Sequence, residues 1–250
     1  IKLLDENNLS KILCFKVYED EVHENVASEK ISKYLISKNS SNLTYKNYFT
    51  GRTNILAKCD GIFYYNEEQL VKINSFTSSI AIGALKPFSI VKKGQDLSTI
   101  KIITYAIKKK YIEQIKSFGA NCFKLATFKK IKVGLIQTFN NNTKQSMLDK
   151  TKSTMEVRLK KCGVDQIKEH RIPYNEFDLN KKILECLKTE LELILIFGAN
   201  AIKGTEDIIP KVIKEAGGKI IRFGMPVEPG NLILICTIMK KNNKKIFIIG

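Results

Sequence analysis

The sequence predicts an α/β protein in two parts: a three-layer α/β/α domain with a mostly parallel sheet over residues 130–250, preceded by a smaller mixed α+β domain over residues 1–129. Three observations predict it. From Lys130 onward, apolar strand patterns alternate with helical ones, and βα alternation demands a parallel sheet covered on both faces by right-handed crossovers. Leu193-Ile194-Leu195-Ile196-Phe197 is apolar on both faces, as the centre of such a sheet requires. A chain of 250 residues with 44% hydrophobic and 27% charged side chains suits two ordinary globular domains.

In chain order, a β-rich stretch at Ile12–Tyr18 runs into a helix from about Glu21 to Leu35, with Val22, Val26, Ser28, Ile31 and Leu35 on one imperfect face. A polar break at Ser37–Asn42 follows, then a loop over Phe49–Asn54 and another at Asp60-Gly61. Glu67–Ile73 is a short helix. Ile80–Leu85, Ser89–Val91 and Leu97–Ala106 are strands, with Lys93–Asp96 as the turn between the last two. Lys108–Phe118 is a helix that Gly119 stops at its C′ position.

The second part begins with a strand at Lys132–Thr138 and a helix at Thr143–Cys162. Asp165–Ile172, Leu193–Gly198 and Lys219–Phe223 continue as strands, separated by helices at Asn175–Glu190 and Thr205–Ala216. Leu232–Thr237 and Lys244–Ile249 close the order, joined by an Asn242-Asn243 hairpin turn.

The net charge of +17 is carried almost wholly by lysine, which supplies 38 of the 42 basic residues. Arginine, the better reader of bases and phosphates, stands only at 52, 158, 171 and 222. The lysines are spread evenly along the chain, so they form a solvated, composition-driven surface and no nucleic-acid partner is expected. No apolar run approaches the ~20 residues of a bilayer span, and no basic-then-apolar leader opens the chain. A start at Ile1 rather than Met suggests a fragment. The cysteines at 14, 59, 122, 162, 186 and 236 form no C-x-x-C pair and lie mostly in apolar stretches, as at Ile12–Phe15 and Ile233–Cys236. They point to a reducing cytoplasm, not a zinc site.

Ligands of an open α/β sheet bind beyond the carboxyl ends of its strands, where loops feed helix N-termini. Two loops qualify: Phe139–Thr151 after the first strand of the second part, and Gly198–Pro210 after Leu195-Ile196-Phe197. Each offers amides, a lysine and a carboxylate, a set able to hold a phosphate and a Mg²⁺. Thr205 is equally readable as an ordinary N-cap, with Glu206 and Asp207 complementing the helix dipole.

Gly198-Ala199-Asn200-Ala201-Ile202-Lys203-Gly204-Thr205-Glu206-Asp207-Ile208-Ile209-Pro210 and the stretch through Pro226, Pro229, Gly230 and Leu232 resemble the molybdopterin-binding domain shared by molybdopterin adenylyltransferases, molybdopterin molybdotransferases and gephyrin. The similarity is greatest to a bacterial group in which that domain follows an N-terminal region and is often fused to a cytidylyltransferase-type nucleotidyltransferase. Val133–Thr151 resembles the family's first motif and puts Asp149 on its Asp-Lys position, while Asp207 and Pro210 fall on an Asp-x-x-Pro. Phe49–Asn54 and Val91–Ile103 resemble the N-terminal region of the fused group.

The resemblance implies molybdopterin binding in molybdenum cofactor biosynthesis, with molybdopterin or its nucleotide-activated form as partner. A nucleotidyltransferase domain, fused or separate, and homo-oligomers are implied as well. Thr138, Lys144, Gly198, Asn200, Gly204, Thr205, Pro229 and Gly230 would bind the ligand, its phosphate lying at helix N-termini. Asp149 and Asp207 would be catalytic, with Asp207 also holding a Mg²⁺. Two departures bear on activity: Phe139-Asn140 and Ala199-Asn200 stand where adenylyltransferases carry Ser-Asp and a glycine-rich loop, so less backbone can wrap a phosphate. The chain also stops at Gly250, where the family continues into a Pro-Gly loop. A transferase and a non-catalytic carrier or regulatory module therefore both stay open.

Overall fold

The computed structural model describes residues 6, 11, 14–36 and 42–250. It is mixed α/β, and antiparallel strand pairings outnumber parallel ones. By its internal contacts the chain divides into two compact units, one ending at Phe128 and one beginning at Lys129. Among the described residues no helix is long and apolar enough to cross a membrane.

The first unit runs β1 (Glu21–His23), α1 (Glu24–Leu35), β2 (Leu43–Asn47), β3 (Arg52–Ala57), β4 (Gly61–Tyr65) and α2 (Glu67–Phe76). It continues with β5 (Ile80–Ala84), β6 (Ser89–Val91), β7 (Asp96–Ile102), β8 (Ala106–Lys108), α3 (Lys109–Gly119) and β9 (Phe123–Thr127). Two antiparallel sheets, β2-β3-β7-β5 and β6-β4-β9, share this unit with the small β1-β8 pair. Ile31, Leu35, Ile55, Phe63, Ile73, Ile100, Ile115 and Phe123 are fully buried in its core.

Several expectations for this half are not met, and β1, β3, β4, β7 and β9 pair with partners distant in the chain. Cys14–Tyr18 form no strand, and Ile12 and Leu13 lie outside the described residues. Phe15 instead stacks on Tyr105, 4.5 Å between ring centroids. Residues Glu21–His23 pair with β8 rather than opening the helix. On α1 the small residues Ala27, Ser28 and Ser32 join Ile31 and Leu35 in facing the core, whereas Val26 is exposed. Residues 37–41 of the expected polar break are not described. The expected Phe49–Asn54 loop is half strand, because Arg52, Thr53 and Asn54 pair with β2 and β7. Strands β2, β4 and β9 were not expected, and the Leu97–Ala106 strand is broken into β7 and β8. Gly119 belongs to α3, packed 3.0 Å (as a built Cβ) from Ile73, and the left-handed residue beyond the helix is Asn121, φ +59°. Among the cysteines, 122, 186 and 236 are buried, but Cys14 is exposed despite its apolar neighbours.

The second unit runs β10 (Val133–Phe139), α4 (Gln145–Lys160), β11 (Ile167–Pro173), α5 (Glu176–Leu187) and β12 (Leu193–Phe197). It ends with α6 (Ile208–Glu215), β13 (Lys219–Phe223), β14 (Leu234–Met239) and β15 (Lys245–Ile249). One sheet holds all six strands in the order β11-β10-β12-β15-β14-β13. It is parallel from β11 to β15 and antiparallel at β14 and β13. The expected mostly parallel sheet is thus a mixed one. A short turn through Asn243, φ +59°, joins β14 to β15, and only antiparallel neighbours can be joined so tightly.

Alternate residues of β10 and β12 enter different cores, as the period-2 geometry of a strand dictates. Leu135 and Leu195 pack with Met155 and Leu159 of α4. Ile136, Ile194 and Ile196 pack with Leu179 and Ile183 of α5 and with Ile209, Val212 and Ile213 of α6. Helix α4 therefore covers one face of the sheet, and α5 and α6 cover the other.

Candidate functional site

Strands β10, β11, β12 and β15 point the same way, so their carboxyl ends share one edge of the sheet. The antiparallel register of Ile235 with Ile249, and of Phe223 with Leu234, brings the end of β13 and the start of β14 to that edge too. Among the connections that consequently gather there are residues 140–144, 198–207 and 224–233.

The first two are joined directly. Thr138 is 2% exposed, and its Oγ1 accepts a hydrogen bond of 2.7 Å from the backbone N–H of Ala199. Gly198 allows the chain to turn there: a Cβ would lie 2.7 Å from the carbonyl oxygen of Asn200 and 2.9 Å from Ile209 Cδ1.

The 140–144 loop folds on itself. Asn142 N–H donates to Asn140 Oδ1 and Asn140 N–H to Thr143 Oγ1, each at 3.0 Å. Helix α4 then begins two residues later than expected, with Lys144 as an N-cap that makes no side-chain capping bond and with no acidic residue in the first turn. An uncapped helix N-terminus beside a lysine is electrostatically suited to an anion.

The 198–207 loop is closed by Asp207. Its Oδ2 accepts from the N–H of Gly204 at 3.0 Å and from the N–H of Lys203. Helix α6 starts at Ile208 with Asp207, not Thr205, at the N-cap. Thr205 donates to Glu206 instead. Tyr174, at the end of β11, has its phenol pushed up by burial and by the negative charge of Asp207. Asn200 and Lys203 are exposed on this loop.

Asp149 lies on α4, on the opposite face of the sheet from α6. Its Oδ1 accepts from Arg171 at 2.7 Å, and Arg171 also donates to Glu169 Oε1 at 2.5 Å. Glu169 further accepts from buried Gln137, 2.8 Å, and lies 3.4 Å from Lys152 Nζ. Burial pushes the Glu169 carboxyl up, but the hydrogen bonds from Arg171 and Gln137 outweigh it and hold the group below the ordinary range. Asp149, on the face covered by α4, and Asp207, at the start of α6 on the other face, are held by separate partners. Among the described residues no three His, Cys, Asp or Glu side chains gather closely enough to hold a metal ion.

In the third connection, Gly224 N–H to Ile233 O (2.8 Å) and Met225 N–H to Asn231 O (3.0 Å) prolong the β13-β14 ladder past the sheet. Pro229 and Gly230 form its exposed tip, after a cis Glu228–Pro229 peptide, and Gly230 has φ +114°, a conformation open to glycine.

No protein-family model matches this chain, and no curated protein sequence matches it either.

Gln137, Glu169, Arg171 and Tyr174 carry no sequence motif that marks them as neighbours of the site. The spacing Glu169-x-Arg171 places both side chains on one face of a strand. Only the pairing of Leu135 with Glu169 and of Gln137 with Arg171 sets that face beside α4. Cavities of about 770 and 640 Å³ open at the opposite, amino edge of the sheet, both lined by Lys130, Lys132 and Glu190. They are separate from the residues gathered at the carboxyl edge.

Proposed function

We propose that the second unit is a three-layer α/β/α molybdopterin-binding domain acting in molybdenum cofactor maturation in the cytoplasm. The observation that carries this reading is the Ala199–Thr138 bond, which ties together the two segments resembling the family's phosphate-binding motifs. Molybdopterin is a pterin dithiolene with a terminal phosphate. Its phosphate fits the uncapped N-terminus of α4, where Lys144 neutralises charge. Lys203, Asn200 and the Pro229-Gly230 tip border the same edge. The Asp149–Arg171 pair offers a carboxylate and a guanidinium to polar groups of the ligand. A Mg²⁺ would be held by the ligand phosphate with one carboxylate, the usual manner for an ion that keeps most of its water.

A non-catalytic carrier is favoured over an adenylyltransferase by one observation. The amides of Lys203 and Gly204, which a phosphate would need, are already bonded to Asp207. Group transfer then belongs to a separate or fused nucleotidyltransferase domain acting on molybdopterin or its nucleotide-activated form. Nucleic acid is not among the proposed partners.

Anaerobic titration of the protein with molybdopterin tests this. Saturable binding is expected, weakened about tenfold by Lys144→Glu with an unchanged circular dichroism spectrum, because the charge reversal removes an attraction to the phosphate and adds a repulsion at the same place. Absence of saturable binding, or equal binding by Lys144→Glu and Asp149→Asn, would overturn the site. Turnover of molybdopterin with ATP or molybdate would replace the carrier reading with a transferase.

A further inference from the structure

The amino edge of the second unit's sheet gathers lysines that the sequence spreads along the chain. Lys132 stands directly before β10, Glu192 directly before β12, and Lys240–Lys244 form the turn into β15. The parallel register of Val133 with Leu193, and of Leu193 with Phe247, sets these three segments side by side. Backbone bonds fix them there. Glu192 N–H donates to Lys132 O at 2.9 Å, and Phe247 N–H to Glu192 O at 3.1 Å. The turn is closed by Lys240 N–H to Lys244 O at 2.9 Å and by Asn243 N–H to Lys240 O at 3.0 Å.

The hollow of about 640 Å³ that these segments enclose is within the size range of ligand pockets. Six lysines line it: Lys130, Lys132, Lys188, Lys240, Lys244 and Lys245. Only two acidic side chains do, Glu190 and Glu192, so the lining carries an excess of four positive charges. Lys132 is paired with Glu190, and the other five lysines form no ion pair. The adjoining cavity of about 770 Å³ shares Lys130, Lys132 and Thr189 with it and adds Ile131, Val133 and Ile167, a partly apolar wall.

Lys240 is built into the structure rather than waving over it. It is half-buried, and its Nζ donates to Thr189 O at 2.8 Å and to Leu191 O at 2.5 Å. The two carbonyls hold the ammonium in place without compensating its charge, and one of its three N–H donors is left over. Burial pushes this ammonium down, and the charge of Lys244 pushes the same way. A half-buried cation without a counter-ion is destabilising, and an anion in the hollow relieves it. A single phosphate carries about −1.5 to −2 and leaves much of the excess uncompensated. Two linked phosphoryl groups come closer to matching it.

We infer that this amino-edge hollow binds a diphosphate, free or as an ester: Lys240 anchors one phosphoryl group, Lys130, Lys188, Lys244 and Lys245 neutralise the remaining charge, and the apolar wall of the adjoining cavity takes the body of an ester. The inference goes beyond the reading of the carboxyl edge and uses none of its residues.

The test is calorimetric titration of the full chain with pyrophosphate, ADP and sulfate at about 0.15 M salt, where diffuse surface attraction is screened. Pyrophosphate or ADP should bind saturably and at least about tenfold more tightly than sulfate, and the tighter of the two tells a free diphosphate from an ester. Lys240→Gln should weaken binding about tenfold or more, as expected for a charged hydrogen bond. Lys188 and Lys244 are exposed, so the double variant Lys188→Gln/Lys244→Gln keeps the fold, and it should weaken binding about fivefold. Lys144→Glu should leave the binding unchanged, which separates this hollow from the site proposed at the carboxyl edge. No saturable binding, equal binding of sulfate, undiminished binding by the Lys240 and Lys188/Lys244 variants, or an equal loss in Lys144→Glu would overturn the inference.

Discussion

Gly198 and Gly204 stand six residues apart in one loop, and the structure gives them opposite demands. At Gly198 a methyl group would strike a backbone carbonyl at 2.7 Å, whereas at Gly204 nothing lies within 4 Å of a built Cβ. Gly198→Ala should therefore destabilise the protein by about 1–3 kcal/mol through forced backbone movement. Gly204→Ala should stay within about 0.5 kcal/mol of the parent, or gain slightly from the lost freedom of the unfolded chain. Urea unfolding of both variants checks this. Similar midpoints would show that the Asn200 carbonyl yields without cost. Both glycines stand out in the sequence as members of a ligand loop, but their difference depends on where Asn200 and Ile209 lie. The same is true of Asp207, whose carboxylate is legible as a first-turn charge while its actual partners, the amides of 203 and 204, follow from the loop's closure.

Among elements, the link between α4 and β11 is electrostatic as well as apolar. Glu169, 14% exposed, is bonded by Arg171, which also holds Asp149 on the helix. Replacing Arg171 by Met removes two charge-assisted bonds and leaves Glu169 to Lys152 and Gln137, a loss of about 1–3 kcal/mol at neutral pH. The sign with pH follows from the lowered carboxyl of Glu169. A group depressed by folding stabilises fully above its unfolded value, about 4.3, and that contribution is lost as pH falls through the folded value. The stability difference between parent and Arg171→Met should thus be constant from pH 7 to 5 and shrink below pH 4.5, as read by denaturant unfolding at each pH. A difference that grew on acidification would show that Glu169 is not held ionised by Arg171. Helix and strand boundaries here were legible within a few residues because α4, α5 and the two-sided apolar strands carry local periodicity. In the first unit that signal is scrambled: strand positions Thr53, Asn54 and Ser98 are buried and polar, and Ile90 is an exposed strand residue.

At the scale of the whole molecule, the two units have cores without a common residue: one cluster ends at Leu125, and the others begin at Ile131 and Ile136. Cooperative folding of a unit requires its own closed core. Residues 129–250 expressed alone should accordingly unfold in a single urea transition, with a slope of about 1–3 kcal/mol/M. A broad, sloping loss of ellipticity would show that this unit depends on the first.

By itself the sequence determined the order of elements in the second unit and the coming together of its loops. Periodicity is local, and parallel strands joined by helices must end on one edge. It also determined that the charge is spread, since lysine counts need no structure. Tertiary structure alone decided the hairpins of the first unit, the pairing of Gln137 with Arg171 and the fixing of the Phe49 tip by Asn25 and Ile102. Each depends on contacts between residues far apart in the chain. A strand's burial pattern is imposed by the neighbour it meets, and no short window of sequence contains that neighbour.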